Sequence, residues 1–214
     1  MTVTAIIPAY NEEDTLNSVL SVVRSVPIVH EIIVVSDGST DDTVGVVRHA
    51  GVTLIEFQEN RGKGAAMKAG LDASQTDVVL FLDADLVGLT TDHVAALLEP
   101  VLAGRCEMCV GLFEGGRIAT DLAQVVAPYL SGQRVIKTSV LETMDGLEIS
   151  RFGVEVALTM HCKQHGIRTE EVSLPGLTHR MKEEKLGFSK GLWARLWMYW
   201  EIVKYVVRVD TDSK

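Results

Sequence analysis

VVLFLDADLVG, residues 78–88, joins a run of valine, leucine and phenylalanine to two carboxylates, Asp83 and Asp85. A short apolar run bounded by polar residues suits a parallel strand covered on both faces, and in open α/β sheets ligands gather beyond the carboxyl ends of such strands. The stretch therefore predicts a central strand over 78–82 that delivers two acids to a ligand-binding edge. In an extended segment residues two apart point to the same side, so both carboxylates can reach one hard divalent cation carrying a polyphosphate. On spacing alone, a solvated loop after a strand accounts for the two acids equally well.

Upstream, the same strand-then-loop unit recurs. Residues 3–7 are an apolar, mostly β-branched run stopped by Pro8, and residues 15–24 carry leucine and valine at helical intervals; the intervening PAYNEEDT offers Asn11 and Asp14 as helix caps. EIIVVS at 31–36 runs into DGSTDDT, where Ser39, Thr40 or Asp41 can cap a helix over 42–49. A third strand over 52–57 passes through ENRGKGAA into a helix ending near residue 74. Beyond the DAD loop, a helix is expected over 92–102 and a strand over 107–113. This alternation predicts a Rossmann-like α/β fold, a mostly parallel sheet flanked by helices. The rhythm then weakens into a helix, the glycine turn SGQR and a short strand, followed by a helix over 153–165 and the alternating strand RTEEVSL. Helical period returns over 189–209.

With 214 residues and 47% hydrophobic content, one large domain is expected, in stretches of about 1–90, 91–188 and a helix and tail over 189–214, the first two of which the resemblance given below makes a nucleotide-binding half and an acceptor half. A formal net charge of −9 argues against nucleic-acid binding. Cys106, Cys109 and Cys162 form no even disulfide framework, which favours a reducing, cytoplasmic compartment. Cys106 and Cys109 have the spacing of a metal knuckle, but MCVGLF reads as a strand, on which residues three apart face opposite ways. The opening MTVTAIIPAYNEE has the form of neither a signal peptide nor a membrane anchor. In the tail, GLWARLWMYWEIVKYVVRV gathers its charges on a narrow arc, so it is an amphipathic helix rather than a spanning one. Packing on the core, a homodimer interface, and peripheral membrane contact through Trp193, Trp197 and Trp200 all suit it.

Four polar loops, PAYNEE, SDGSTDD, ENRGKG and DAD, each follow a strand, so a parallel sheet brings them to one edge. Glu12 and Asp37 are acceptors suited to base N–H and ribose hydroxyl groups. Lys63 and glycine amides suit phosphate oxygens. Asp83 and Asp85 would bring the neutralising cation, and a nucleoside diphosphate satisfies every loop.

In that order, TAIIPAYNEE, SDGSTDDT, NRGKGAA and LFLDAD resemble the motifs of family 2 glycosyltransferases of the GT-A fold. The resemblance implies nucleotide positions at Pro8, Ala9, Tyr10, Glu12, Asp37, Gly62, Lys63, Asp83 and Ala84. It implies ribose or metal contact for Asp83 and metal ligation for Asp85, with Mg²⁺ or Mn²⁺ as the ion. In the second half, SGQR, RFGVE and LPGLTHRMKEEKLG resemble stretches of glucosyl-3-phosphoglycerate synthases. That likeness implies that His179 completes the metal site, Arg134 helps hold a phosphorylated acceptor, and Glu155 faces the sugar. Because SGQR departs from the glycine and double-arginine pattern of those enzymes and the chain is shorter, the acceptor stays open.

The implied activity is transfer of a sugar from a UDP- or GDP-sugar to the hydroxyl of a small or lipid-linked acceptor, such as a polyprenyl phosphate. Inversion would use Glu155 as base. Retention, which the second likeness favours, would let the leaving phosphate take the proton. A sugar nucleotidyltransferase would carry a glycine-rich, arginine-containing loop where PAYNEE stands, and a non-catalytic sugar-nucleotide-binding module would not need Asp85, Glu155 and His179 together.

Overall fold

The computed structural model describes residues 1–113, 130–144 and 153–180. The helices expected between 114 and 130 and over 189–209 lie outside these residues. The amino-terminal half alternates as expected: β1 (Val3–Ala9), α1 (Leu16–Arg24), β2 (Val29–Asp37), α2 (Thr43–Ala50), β3 (Thr53–Phe57), α3 (Lys63–Ala73) and β4 (Val78–Phe81). There follow β5 (Leu86–Val87), α4 (Thr91–Leu102), β6 (Met108–Phe113), β7 (Arg134–Lys137), α5 (Thr138–Leu141), α6 (Val154–Gln164), β8 (Thr169–Leu174) and β9 (Thr178–His179).

Seven strands form one sheet in the order β3-β2-β1-β4-β7-β6-β8. β1 pairs in parallel with both β2 and β4, and β2 with β3, so the four loops that follow these strands share one edge. β7 runs antiparallel to both β4 and β6. Its direction is decisive for the site, because the chain entering β7 lies at the edge where the chain leaving β4 emerges.

Alternation along the central strands explains why they are apolar throughout. Val3, Ala5, Ile7, Val78 and Leu80 face one core layer with Leu16, Val19 and Val23 of α1 and Val94, Leu97 and Val101 of α4. Ile6, Val79 and Phe81 face the other, with Met67 of α3 and Val154 and Leu158 of α6. A strand covered on both sides has no polar face, and each fully buried aliphatic side chain contributes roughly 1.5–3 kcal/mol.

The expected helix caps are not the ones used. Thr15 and Asp42 stand at the N-cap positions of α1 and α2 with no side-chain cap hydrogen bond. Asn11 is left-handed, with φ 55°, and its Oδ1 accepts the Thr40 amide across the loops. The Asp14 carboxylate instead pairs with Arg180, 2.5 Å away. Asp41 Oδ1 accepts the Thr43 amide inside the first turn of α2. These short polar side chains tie neighbouring loops together. Cys106 and Cys109 are free thiols inside the same core layer rather than on opposite faces, and no cluster of possible metal ligands among the described residues includes a cysteine. None of the described helices is long and apolar enough to cross a membrane.

Candidate active site

The loops after β1, β2 and β3 are stitched together before any ligand is considered. The Asn11 amide donates to Ser39 Oγ at 3.1 Å and the Glu12 amide to Thr43 Oγ1 at 2.8 Å. Asp37, 4% exposed, accepts the Arg61 amide at 2.7 Å and the Gly62 amide at 2.9 Å, one on each carboxylate oxygen. Asp37 and Gly62, read from sequence as ligands for opposite ends of a nucleotide, are thus engaged with each other. Asp37 sets the approach to α3, whose first residue is Lys63. Glu12 is buried with Thr15 Oγ1 donating to it at 3.3 Å, and Ala9 and Ala84 are buried as well. Tyr10 is 44% exposed at the rim, where its ring is open to stacking.

Lys63 reaches across the edge to two carboxylates, Asp83 Oδ1 and Glu155 Oε1, each 2.5 Å from Nζ. Glu155 lies in the first turn of α6, so this single ammonium joins the nucleotide half to the second half of the chain. Burial alone would lower the Lys63 pKa, yet the two carboxylates raise it well above the ordinary lysine value. For Asp83, burial pushes the carboxyl up, but the Lys63 ammonium, the nearby His179 and the Gln133 amide together hold it below the usual carboxylate range. Both groups therefore remain charged.

Asp83, Asp85 and His179 converge. Their ligand atoms lie within 4.8 Å of one another, and they form the one such group among the described residues. His179 arrives on β9, which pairs antiparallel with β5 so that Leu86 faces His179; the Arg180 amide donates to the Asp85 carbonyl at 2.9 Å. Nδ1 of His179 is 2.9 Å from Asp85 Oδ1, Nε2 is 3.9 Å from Asp83 Oδ2, and Phe113 meets the imidazole edge-on, with ring centroids 4.8 Å apart. The Asp85 carboxylate, accepting a hydrogen bond from the imidazole, raises the His179 pKa against the opposing effect of burial.

Two carboxylates and one imidazole suit Mn²⁺ or Mg²⁺, which take mainly oxygen ligands and keep positions for phosphate and water. The loop before β7 shapes the wall behind them. A Cβ on Gly132 would stand 2.3 Å from Asp83 Oδ2, so any side chain there would displace the carboxylate. Gln133, fully buried, donates its amide to Asp83 Oδ2 at 2.8 Å, and Ser131 Oγ anchors the loop to the Gly111 carbonyl at 2.5 Å. Gly132, Gln133 and Phe113 were not singled out from sequence. The letters SGQR held two of them, but only the reversed direction of β7 reveals what they touch.

Arg134 is not brought to the open face. Its side chain is 0% exposed, with Nε donating to the Ser131 carbonyl and a terminal nitrogen to Thr159 Oγ1, each at 2.8 Å. Burial lowers its pKa to about 10, and the acids Glu155 and Asp83 support its charge. Arg134, expected from the resemblance to help hold an acceptor, is thus placed behind the open face and engaged with Ser131 and Thr159. Thr159 Oγ1 also donates to the Glu155 carbonyl at 3.0 Å, so Arg134 buttresses the helix that carries Glu155.

Residues 4–144 match the family model for Glycosyl transferase family 2, which covers more than half of the chain. The chain belongs to glycosyl transferase family 2. Among relatives of this family 2 protein, the glucosyl-3-phosphoglycerate synthase of Mycolicibacterium paratuberculosis is 32% identical over 168 residues, covering 68% of this chain and 51% of that one. The 4,4'-diaponeurosporenoate glycosyltransferase of Staphylococcus aureus is 35% identical over 101 residues, 45% of this chain and 27% of that one. The chain thus spans about half the length, or less, of these curated relatives. Among solved structures, Mycobacterium tuberculosis glucosyl-3-phosphoglycerate synthase in complex with Mn²⁺, UDP-glucose and phosphoglyceric acid superposes with a TM-score of 0.71 at 28% identity, covering 85% of this chain and 72% of that one. The likeness agrees with the expected GT-A type of mostly parallel sheet.

Proposed function

We propose that this family 2 protein transfers a sugar from a nucleoside diphosphate sugar, UDP-glucose being the first donor to test, to a hydroxyl of a small phosphorylated acceptor, with Mn²⁺ or Mg²⁺ bound. The observation that carries this reading is the meeting of Asp83, Asp85 and His179 beside Lys63 and Glu155, at the edge where the four loops converge. Asp85 and His179 would be the principal ligands, with Asp83 shared between the ion and Lys63. The ion, when bound, stabilises the negative charge that grows on the diphosphate as the glycosidic bond breaks. The loop after β1 and the exposed ring of Tyr10 would receive the nucleoside. An ammonium has three N–H donors, so Lys63 can keep both carboxylates and still turn one N–H toward a phosphate or sugar oxygen.

Glu155 would face the sugar. The Lys63 ammonium holds Glu155 through Oε1; the likeness to the phosphoglycerate synthases supports retention, with the leaving phosphate as base, over inversion with Glu155 as base. The related synthase bound to phosphoglyceric acid supports a small phosphorylated acceptor. The diaponeurosporenoate enzyme keeps a lipid acceptor as the second reading.

The test is transfer of labelled glucose from UDP-glucose to 3-phosphoglycerate or to a polyprenyl phosphate, with Mn²⁺ and with chelator. Transfer to phosphoglycerate that disappears on chelation, and falls at least about 100-fold in Asp85→Asn, is expected. Saturable UDP-glucose binding with neither transfer nor hydrolysis would replace the enzyme with a binding module.

A further inference from the structure

His93, in the first turn of α4, is 8% exposed and lies outside the group of acids just described. Its ring spans two chain segments. Nδ1 accepts the Thr90 backbone N–H at 3.3 Å, completing a capping box in which Thr90 Oγ1 accepts the His93 N–H, also at 3.3 Å. Nε2 is 3.0 Å from the Pro175 carbonyl, which can only accept, so this nitrogen carries the proton and the imidazole is the neutral Nε2–H tautomer. Thr90 ends the segment that begins with Asp83 and Asp85, and Pro175 opens the turn that leads to His179. One imidazole therefore ties together both segments that carry the three candidate ligands.

Two further contacts clamp the same turn. A Cβ on Gly88, whose φ is +82°, would stand 2.7 Å from the Gly176 carbonyl oxygen, so the two backbones touch where only glycine fits. Leu177, 2% exposed, plugs the turn into the core. From the turn the chain runs directly into β9. A glutamate, an ordinary capping-box partner, would satisfy Thr90 but has no N–H for Pro175, whereas the histidine's second nitrogen adds that bond.

We infer that His93 is a positioning residue for the metal centre: it sets the distance between the Asp83–Asp85 segment and His179 by bridging Thr90 and Pro175. The inference rests on the metal reading given above. Groups hydrogen-bonded directly to metal ligands typically alter the ion's affinity about 10- to 100-fold, and His93, which holds the segments rather than the ligands, is placed at the lower end of that range. His93→Asn retains an acceptor where Nδ1 stands but does not reach Pro175, whereas His93→Gln places an amide donor near the position of Nε2.

The experiment compares wild type, His93→Asn, His93→Gln and His179→Ala by Mn²⁺ binding (electron paramagnetic resonance), UDP binding in chelator, thermal unfolding and hydrogen exchange of the 176–180 amides. His93→Asn is expected to weaken Mn²⁺ about tenfold and to speed exchange in 176–180, with UDP affinity in chelator and Tm nearly unchanged. His93→Gln is expected to recover most of the Mn²⁺ affinity. Wild-type Mn²⁺ affinity in His93→Asn would overturn the inference, as would a parallel loss of Mn²⁺ affinity, UDP affinity and Tm, the pattern of a merely structural residue. If wild type and His179→Ala bind Mn²⁺ equally, the metal reading itself fails; if only His179→Ala loses the ion, the metal reading stands and the bridge is refuted.

Discussion

Arg134 and Lys63 show how two cations of one site take different parts. Lys63 keeps its side chain 36% exposed and holds two acids at the edge, whereas Arg134 is sealed behind them. Replacing Arg134 with methionine preserves bulk but takes the guanidinium donors from the Ser131 carbonyl and the Thr159 hydroxyl, a loss of about 1–3 kcal/mol for an unmet buried partner, the hydroxyl keeping its bond to the Glu155 carbonyl. For a chain of this size that corresponds to a fall in Tm of roughly 3–10 °C, with the acceptor KM little changed. A raised acceptor KM at unchanged Tm would return Arg134 to the acceptor. The acids and His179 were legible because their motifs occur in a fixed order along the chain. Gln133 was not, because a glutamine after a glycine is ordinary turn chemistry until its amide is found on Asp83.

The repeated strand and helix units could be read from hydrophobic period alone, since β1, β2 and β4 are apolar on both faces and α1 presents Leu16, Val19, Leu20 and Val23 on one face. β5 and β9, two residues each, are too short to leave a period, and nothing in RVIK announces that β7 runs backwards. The small β5–β9 sheet carries a testable pH dependence. Its hydrogen bond to Asp85 raises the folded pKa of His179, so the stabilisation is complete below the free imidazole value near 6.5 and is lost as pH rises through the folded value above it. In chelator, the guanidinium midpoint of wild type should therefore exceed that of His179→Ala by more at pH 5.5 than at pH 8.5. The difference will be modest, because the His179 side chain is 41% exposed and screened by solvent. An equal gap at both pH values would dissociate the Asp85 bond from stability.

Across the molecule, the three thiols report on the integrity of both core layers. Cys106, Cys109 and Cys162 are at most 1% exposed, and burial raises all three thiol pKa values, that of Cys109 to about 12. Native protein at pH 8 is expected to react with none of them over minutes in an Ellman assay, and denatured protein with all three. Fast labelling of one thiol in native protein would expose an opening in the layer that holds it.

The backward course of β7 has a consequence for how such proteins diversify. The residues proposed to hold the donor sit on chain leaving parallel strands, between positions 8 and 85, whereas the wall at Gly132 and Gln133 sits on chain arriving from β6. Insertions or deletions between β6 and β7 can thus recut one wall of the site without disturbing the register of the strands that carry the other. Two descendants of one ancestor could keep the same nucleotide sugar and the same cation while coming to glycosylate unrelated molecules.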